Sequence, residues 1–430
     1  MNSATTFRRI LVLLIGCTLA AATLRAGQPA SRKTNMNEKP NVVVILMDDL
    51  GWGDLGSYGA VDARTPNLDR LAREGARLTD CYAAAPVCTP TRAAFMTGRY
   101  QHRVGLETVI APSIGNMDKG LPQSVRALPR LMKEAGYRTA LIGKWHLGST
   151  PDSLPRRHGF DEFFGFLGGA IDHYSHHGEV HDKDLYENET PANVEGYITD
   201  LITERAIAFI ERNASRPFFV DVSYSAPHWP FQPPGAGPTN VAASVKGGQR
   251  LRVWAEEGTR ADYVRMVESA DAGIGRILLA LERLDPARNT LVIFTSDNGG
   301  EWLSRMGPFF NRKGTLWEGG IRVPCILRWP GHIPAKQVSA QPAITMDLTA
   351  TILAAAGVSS VKPPLDGIDL VPLLAAGSTP VERSLFWRSP GGPNGEKAVR
   401  SGNWKYVARD PLFPGLLFDL ENDPGERNDV

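Results

Sequence analysis

Cysteine is scarce in this chain, with four among 430 residues: Cys17, Cys81, Cys88 and Cys325. Cys17 falls in an N-terminal apolar stretch. The three that would remain after its removal are an odd number with no paired spacing, which excludes a disulfide scaffold. Cys81 and Cys325 sit in apolar, strand-like runs and read as buried thiols, with a bridge between them left open. Excess charge of one sign is also missing: 47 Lys and Arg against 46 Asp and Glu give a net +1. No polyanion-binding surface follows from that balance, and nucleic acid is set aside as a partner. There is no internal repeat, and the N-terminal apolar stretch is too short to span a membrane. What is present, 42% hydrophobic and 22% charged residues with 43 Gly and 32 Pro, describes a loop-rich globular protein. Its length suits one large α/β domain and a smaller one.

The N-terminus reads as an export signal. Arg8 and Arg9 precede an apolar stretch over 10–22, and Ala20-Ala21-Ala22 or Ala26 offers a cleavage point. Residues 1–26 are therefore assigned to a signal peptide and 27–38 to a polar tether, which places the mature protein in a periplasm or outside the cell. The lipobox-like Leu14-Ile15-Gly16-Cys17 supports a competing reading, with Cys17 as a lipid-bearing first residue.

From there the chain alternates strand and helix. Asn41-Val42-Val43-Val44-Ile45-Leu46-Met47 is an unbroken apolar, β-branched run of the kind found in central parallel strands. Further strands are expected at 77–82, 137–142, 217–224 and 290–295. Helices are expected after Thr65-Pro66 to about Glu74, and over 125–135, 200–211, 262–283 and 345–356. Such alternation predicts a large, mostly parallel sheet covered by helices on both faces. Beyond it, short runs at 384–387, 397–400, 405–408 and 417–420 predict a small antiparallel sheet. The domain boundaries follow as 39–360 and 361–430. A Pro- and Gly-rich loop over 232–248 lies where it can edge a pocket.

Several apolar strands end in polar clusters: Asp48-Asp49, Lys144 with His146, His228, and Asp297-Asn298. In open α/β sheets ligands bind beyond such carboxyl ends. Adjacent buried carboxylates repel and lose hydration unless a cation compensates them. Asp48, Asp49 and Asp297 with the Asn298 amide describe a hard, oxygen-coordinated ion, calcium before magnesium. Arg92, Lys144, His146, His228 and Lys313 supply the donors that a tetrahedral anion needs beside that ion. The irregular cluster His173, His176, His177 and His181 fits a substrate-side loop better than a metal site. Trp229, Trp302 and Trp317 are candidates for stacking on sugar rings or for the core.

The segment Cys88-Thr89-Pro90-Thr91-Arg92 completes the pattern. Thr89 and Pro90 are expected as N-cap and first residue of a helix that stops near Gly98, so that residue 88 meets unpaired backbone N–H groups and Arg92 points back toward it. Cys-x-Pro-x-Arg resembles the signature of formylglycine-dependent sulfatases. Gly51-Trp52-Gly53-Asp54, the runs 143–148, 226–230 and 296–324, and Asp423-Pro424-Gly425-Glu426 resemble other blocks of that family, in its arylsulfatase and N-acetylgalactosamine-6-sulfatase branch. After the last block the sequence runs only to Val430, shorter than the family pattern.

The resemblance implies an alkaline-phosphatase-like fold and hydrolysis of a sulfated glycan or aryl sulfate. It also implies a maturation enzyme that converts Cys88 to formylglycine. The metal ligands it implies are Asp48, Asp49, Asp297, Asn298 and an oxygen of modified Cys88. Arg92 would hold the hydrated aldehyde, Lys144 and Lys313 the sulfate oxygens, and His146 and His228 the moving protons. Two rival readings accompany it: a metal-dependent phosphomonoesterase or phosphodiesterase of related fold, and a non-catalytic protein that binds sulfated carbohydrate.

Overall fold

The computed structural model describes residues 39–179, 183–238, 257–284, 289–375, 380–390, 395–408 and 414–430. The assigned signal peptide, the tether, Cys17, His181 and most of the 232–248 loop lie outside them. The described strands are β1 (Asn41–Met47), β2 (Ala76–Leu78), β3 (Cys81–Tyr82), β4 (Arg138–Lys144), β5 (Glu162–Phe166), β6 (Tyr186–Glu187), β7 (Thr190–Pro191), β8 (Phe218–Ser223), β9 (Thr290–Ser296), β10 (Cys325–Arg328), β11 (Gln337–Ser339), β12 (Ala343–Ile344), β13 (Ser384–Ser389), β14 (Glu396–Ser401), β15 (Trp404–Ala408) and β16 (Leu416–Asp419). The helices are α1 (Pro66–Glu74), α2 (Cys88–Thr97), α3 (Leu128–Glu134), α4 (Ile198–Arg212), α5 (Arg260–Leu284), α6 (Glu318–Ile321), α7 (Thr345–Ala355) and α8 (Val371–Ala375).

Ten strands form the main sheet in the order β11-β2-β10-β9-β1-β8-β4-β5-β6-β7. Its centre, β9-β1-β8-β4-β5, is parallel, whereas β10 runs antiparallel to β9 and to β2. β1 shows why the sequence demands this position. Val42 and Val44 pack on one face with Phe95 of α2, Leu131 of α3 and Ile352 of α7. Val43, Ile45 and Met47 pack on the other with Leu68 of α1, Ile202 of α4 and Ile274 of α5. A strand that is apolar at every position has to be covered twice, at about 1.5–3 kcal/mol for each large side chain fully buried.

Local expectations needed adjusting. The run 77–82 is not one strand: it breaks after Leu78, and β3 pairs with β12 in a separate two-stranded sheet. α2 begins at Cys88 after Val87, so Thr89 and Pro90 lie inside its first turn. That turn has no backbone acceptors for its own N–H groups, so proline is tolerated there. The Thr89 hydroxyl is engaged elsewhere, accepting the Ile110 N–H at 3.1 Å. α3 starts at Leu128, later than the expected 125. β4 runs on to Lys144, past the expected end at 142.

The C-terminal strands form an antiparallel sheet in the order β13-β14-β15-β16. Its alternate residues Leu385, Trp387, Ala398, Val407 and Phe418 face Tyr82, Trp317, Ile321 and Ile344 in a third apolar cluster. Trp317 is thus a core residue, in edge contact with Phe310 and packed on Phe418.

A buried ionic network crosses the same boundary. Lys405 lies 2.9 Å from Glu318 and 2.7 Å from Glu426, and its side chain is fully buried. Arg322 adds a bond to Glu318 at 3.0 Å, and Arg400 and Arg322 both hold Asp80. Burial pulls the Glu318 carboxyl up, and Lys405, Arg322 and Arg400 more than offset it, leaving it at about 2. Removing one member of such a set strands the others without solvent. Lys405→Met is therefore expected to lower unfolding stability by about 3–5 kcal/mol in urea titration, and a loss under about 1 kcal/mol would refute this role for the network.

Candidate active site

β9, β1, β8 and β4 lie side by side and finish at one edge of the sheet, and their tips are tied together. The Asp48 N–H donates to the Ala226 carbonyl at 3.2 Å and the Asp297 N–H to the Met47 carbonyl at 3.1 Å. Asp49 takes a left-handed backbone (φ 64°) and donates its N–H to Asp297 Oδ1 at 3.3 Å. β4 and β8 approach so closely at Gly143 (φ 119°) that any Cβ would lie 1.8 Å from the Ser223 carbonyl oxygen. Only glycine fits there, and the next residue is Lys144.

α2 delivers its first residue to these tips. Cys88 Sγ lies 3.7 Å from Asp48 Oδ1, and burial holds the thiol far above its ordinary pKa despite Lys144 and Lys313. The Thr91 hydroxyl bonds both the N–H and the carbonyl of Ala85, fixing the approach to the helix. One turn on, the Arg92 guanidinium donates from Nε to Asp297 Oδ2 at 3.0 Å, and its Nη2 lies 2.9 Å from the same oxygen as an ion pair. Its Nη1 bonds Ser223 Oγ at 2.7 Å and the Lys144 carbonyl at 3.2 Å. A planar fork used on three sides holds position in a way that a lysine could not.

Two lysines meet the remaining carboxylates. Lys144 Nζ lies 2.6 Å from Asp48 Oδ2, and Lys313 Nζ lies 2.6 Å from Asp49 Oδ2. The Lys313 loop is anchored by its own N–H to Gly300 and by the Gly314 N–H to Pro86.

The two histidines are fixed as specific tautomers by backbone carbonyls, which can only accept. His228 donates from Nδ1 to the Trp229 carbonyl at 2.6 Å, so its bare Nε2 faces Asp49 Oδ2 at 3.5 Å. His146 (φ 53°) donates from Nε2 to the Ile110 carbonyl at 3.0 Å, which leaves Nδ1 as a buried, unpartnered lone pair. Burial, and then the nearby lysines, depresses both imidazoles well below their usual range and keeps them neutral.

This arrangement calls for a cation. An imidazole lone pair confronts a carboxylate, and Asn298 Oδ1 is buried with no partner while its amide donates to Asp49 Oδ1 at 2.7 Å. Burial, opposed by Lys144 and reinforced by Asp297 and Asp49, pushes the Asp48 carboxyl up to about 8. Asp48, Asp49, Cys88 and His228 each offer a ligand atom, all within 4.8 Å of one another. The carboxylates and the Asn298 oxygen suit a hard divalent ion, whereas the Cys88 sulfur and the His228 nitrogen are softer donors. Compared with the set expected from sequence, His228 joins the tight group. Asp297 commits one oxygen to Arg92 and the other to the Asp49 N–H.

Of the remaining candidates, His173 is buried against Ser225 and Tyr197, and His176 is buried and bonds the Gly196 carbonyl. Trp229 packs against His228 with ring centroids 4.3 Å apart, and Trp302 is partly exposed beside Phe231. Sequence reasoning missed Ser223 and the Ile110 carbonyl, since nothing in a hydroxyl on a strand or in a backbone oxygen marks them in advance.

The chain is similar to known proteins along most of its length. A family model described as Sulfatase matches residues 40–358. N-acetylgalactosamine-6-sulfatase of Rattus norvegicus is 37% identical over 90% of this chain and 74% of its own length. Arylsulfatase A of Homo sapiens is 34% identical over 90% of this chain and 82% of its own. The crystal structure of Ps i-CgsB in complex with k-i-k-neocarrahexaose is 32% identical, with a TM-score of 0.81, over 91% of this chain and 89% of that one. None of these matches supports the phosphoesterase or the non-catalytic sugar-binding reading. The strand-tip carboxylates, the helix-borne Cys88 and the matched length together place the chain in the sulfatase family, as a sulfuric ester hydrolase.

Proposed function

We propose that this protein is an exported, calcium-dependent sulfatase that removes sulfate from a sulfated sugar, with residue 88 acting as formylglycine after action by a maturation enzyme. The observation that carries the reading is the meeting of Cys88 with Asp48, Asp49 and His228 inside 4.8 Å, ringed by Arg92, Lys144 and Lys313. A sulfated glycan is favoured by two of these three relatives, one named an N-acetylgalactosamine-6-sulfatase and one solved with a neocarrahexaose, while the name of the third, arylsulfatase A, points to an aryl ester.

Asp48, Asp49, Asp297 and Asn298, with an oxygen of modified residue 88, would hold the divalent ion, and His228 Nε2 faces the same space. When bound, such an ion lowers the pKa of an attacking hydroxyl and offsets charge on the transferred group. Converted to an aldehyde and hydrated, residue 88 carries two hydroxyls, one to attack sulfur and one to lose a proton as sulfate is expelled.

The chain's own residues supply the rest. Lys144 and Lys313 are placed to receive sulfate oxygens in exchange for their carboxylate partners. Arg92, braced by Asp297 and Ser223, orients residue 88. The bare Nδ1 of His146 accepts the proton of the second hydroxyl. Lys313, or His228 once protonated, gives a proton to the departing alkoxide.

Two outcomes check this reading. Cys88→Ser has one hydroxyl where the hydrate has two, so it should release at most one equivalent of alcohol per enzyme and then stall. Sustained turnover by Cys88→Ser would contradict the mechanism, and mass spectrometry of the 78–92 peptide should find an aldehyde in the parent. Chelation should abolish hydrolysis and lower the melting temperature, with calcium restoring both more effectively than magnesium. At 100 times its Kd a bound ion stabilises the fold by about 2.7 kcal/mol, so an unchanged melting curve would count against a resident metal.

A further inference from the structure

Outside the small C-terminal sheet, the exposed aromatic rings among the described residues are Trp302 and Phe310, at 40% and 50% exposure. Both belong to the segment that runs from Asn298, just past β9, to Lys313. The loop that brings a lysine to the site therefore also carries apolar surface open to water. Apolar surface left uncovered beside a site is available to a ligand.

Trp302 stands between the two groups assigned to the departing oxygen. Its ring meets that of Phe231 edge-on, with centroids 6.0 Å apart, and Phe231 comes three residues after His228. On the other side, the Lys313 N–H donates at 3.1 Å to the carbonyl of Gly300, two residues before Trp302. The turn around the ring is tied down. The Ser304 N–H donates to the Glu301 carbonyl at 2.9 Å, the Arg305 N–H to the Asp54 carboxylate at 3.2 Å, and Arg260 to the Leu303 carbonyl at 2.9 Å. A ring on so fixed a turn loses little freedom when a ligand covers it.

Glu301 sits beside the ring. Its Oε2 accepts the Trp302 N–H at 3.1 Å, while its Oε1 accepts no hydrogen bond among the described residues. Its charge reaches Lys313: burial pulls that ammonium down, and Asp49, with Glu301 adding to it, more than offsets the loss and leaves it well above its usual range.

The chemistry of the ester says what such a pair can hold. Sulfate oxygens accept hydrogen bonds and have none to donate, so a carboxylate at this rim repels them. The partner of Glu301 is therefore a donor on the group that leaves. A pyranose supplies both a hydroxyl for the carboxylate and an apolar C–H face for the ring. We propose that Trp302 and Glu301 are the platform for the departing sugar: the indole stacks on its C–H face and Glu301 Oε1 accepts one of its hydroxyls, which aligns the ester oxygen with Lys313 and His228.

The inference rests on the sulfated-sugar reading, and the choice of substrates separates the two. With the full mature protein, the sugar probes are N-acetylgalactosamine 6-sulfate and k-i-k-neocarrahexaose, and para-nitrophenyl sulfate is the probe without a hydroxyl. Trp302→Ala is expected to raise KM for the better sugar probe roughly tenfold while kcat changes little, and Trp302→Phe to recover most of the loss. Glu301→Ala should lower kcat/KM for that sugar, relative to para-nitrophenyl sulfate, roughly tenfold, with Glu301→Gln, which keeps an acceptor oxygen, in between. Both side chains reach the surface, so melting temperatures should stay parental. A parental sugar KM in Trp302→Ala would overturn the platform, as would an equal loss on both substrate classes in Glu301→Ala. A parent that hydrolyses para-nitrophenyl sulfate and neither sugar would instead sink the sulfated-sugar reading, and the platform with it.

Discussion

Like charges crowded into a dry place govern this structure. Asp48, Asp49 and Asp297 are all fully buried at adjoining strand tips, and each is met by a cation from a different part of the chain: Lys144, Lys313 and Arg92. Burying an unpaired carboxylate costs several kcal/mol, so the three pairs have to form together or not at all. Folding of the sheet edge brings these charged groups together.

That constraint explains the arrangement around it. α2 is buried along its whole length because Arg92 has to reach between β1, β8 and β9. Gly143 lets β4 close on β8 and sets Lys144 against Asp48. The Lys313 loop is clamped to Gly300 and Pro86, and α6 then leads from it into the Glu318–Lys405–Glu426 network under the small sheet. The C-terminal sheet thus steadies the segment that carries Lys313, through ion pairs and through the Trp317 cluster.

Much of this was legible in the sequence because the signals are local. Apolar runs that end abruptly in Asp-Asp or Asp-Asn mark strand tips, and the Cys88 to Arg92 spacing fixes two side chains on one helical face. What escaped depends on long-range geometry. Two-residue strands such as β6 and β7 leave no periodicity to read, and the break at Thr79 comes from a switch of partner sheet. The expected Thr89 cap does not form because its hydroxyl accepts the Ile110 N–H, 21 residues on, and the helix starts at Cys88 instead. The sequence implies an anion donor and proton carrier at His228, whereas a single bond to the next carbonyl turns its other nitrogen toward Asp49. Trp317 was open between pocket and core until the small sheet closed over it.

The central claim is that these strand tips hold one divalent ion in contact with an oxidised residue 88. Anomalous diffraction from crystals of the mature protein grown with calcium measures this directly. The account predicts a single strong peak bounded by Asp48, Asp49, Asp297 and Asn298, with two-oxygen density on residue 88 beside it. An unmodified cysteine at 88 with no peak between those side chains would contradict it.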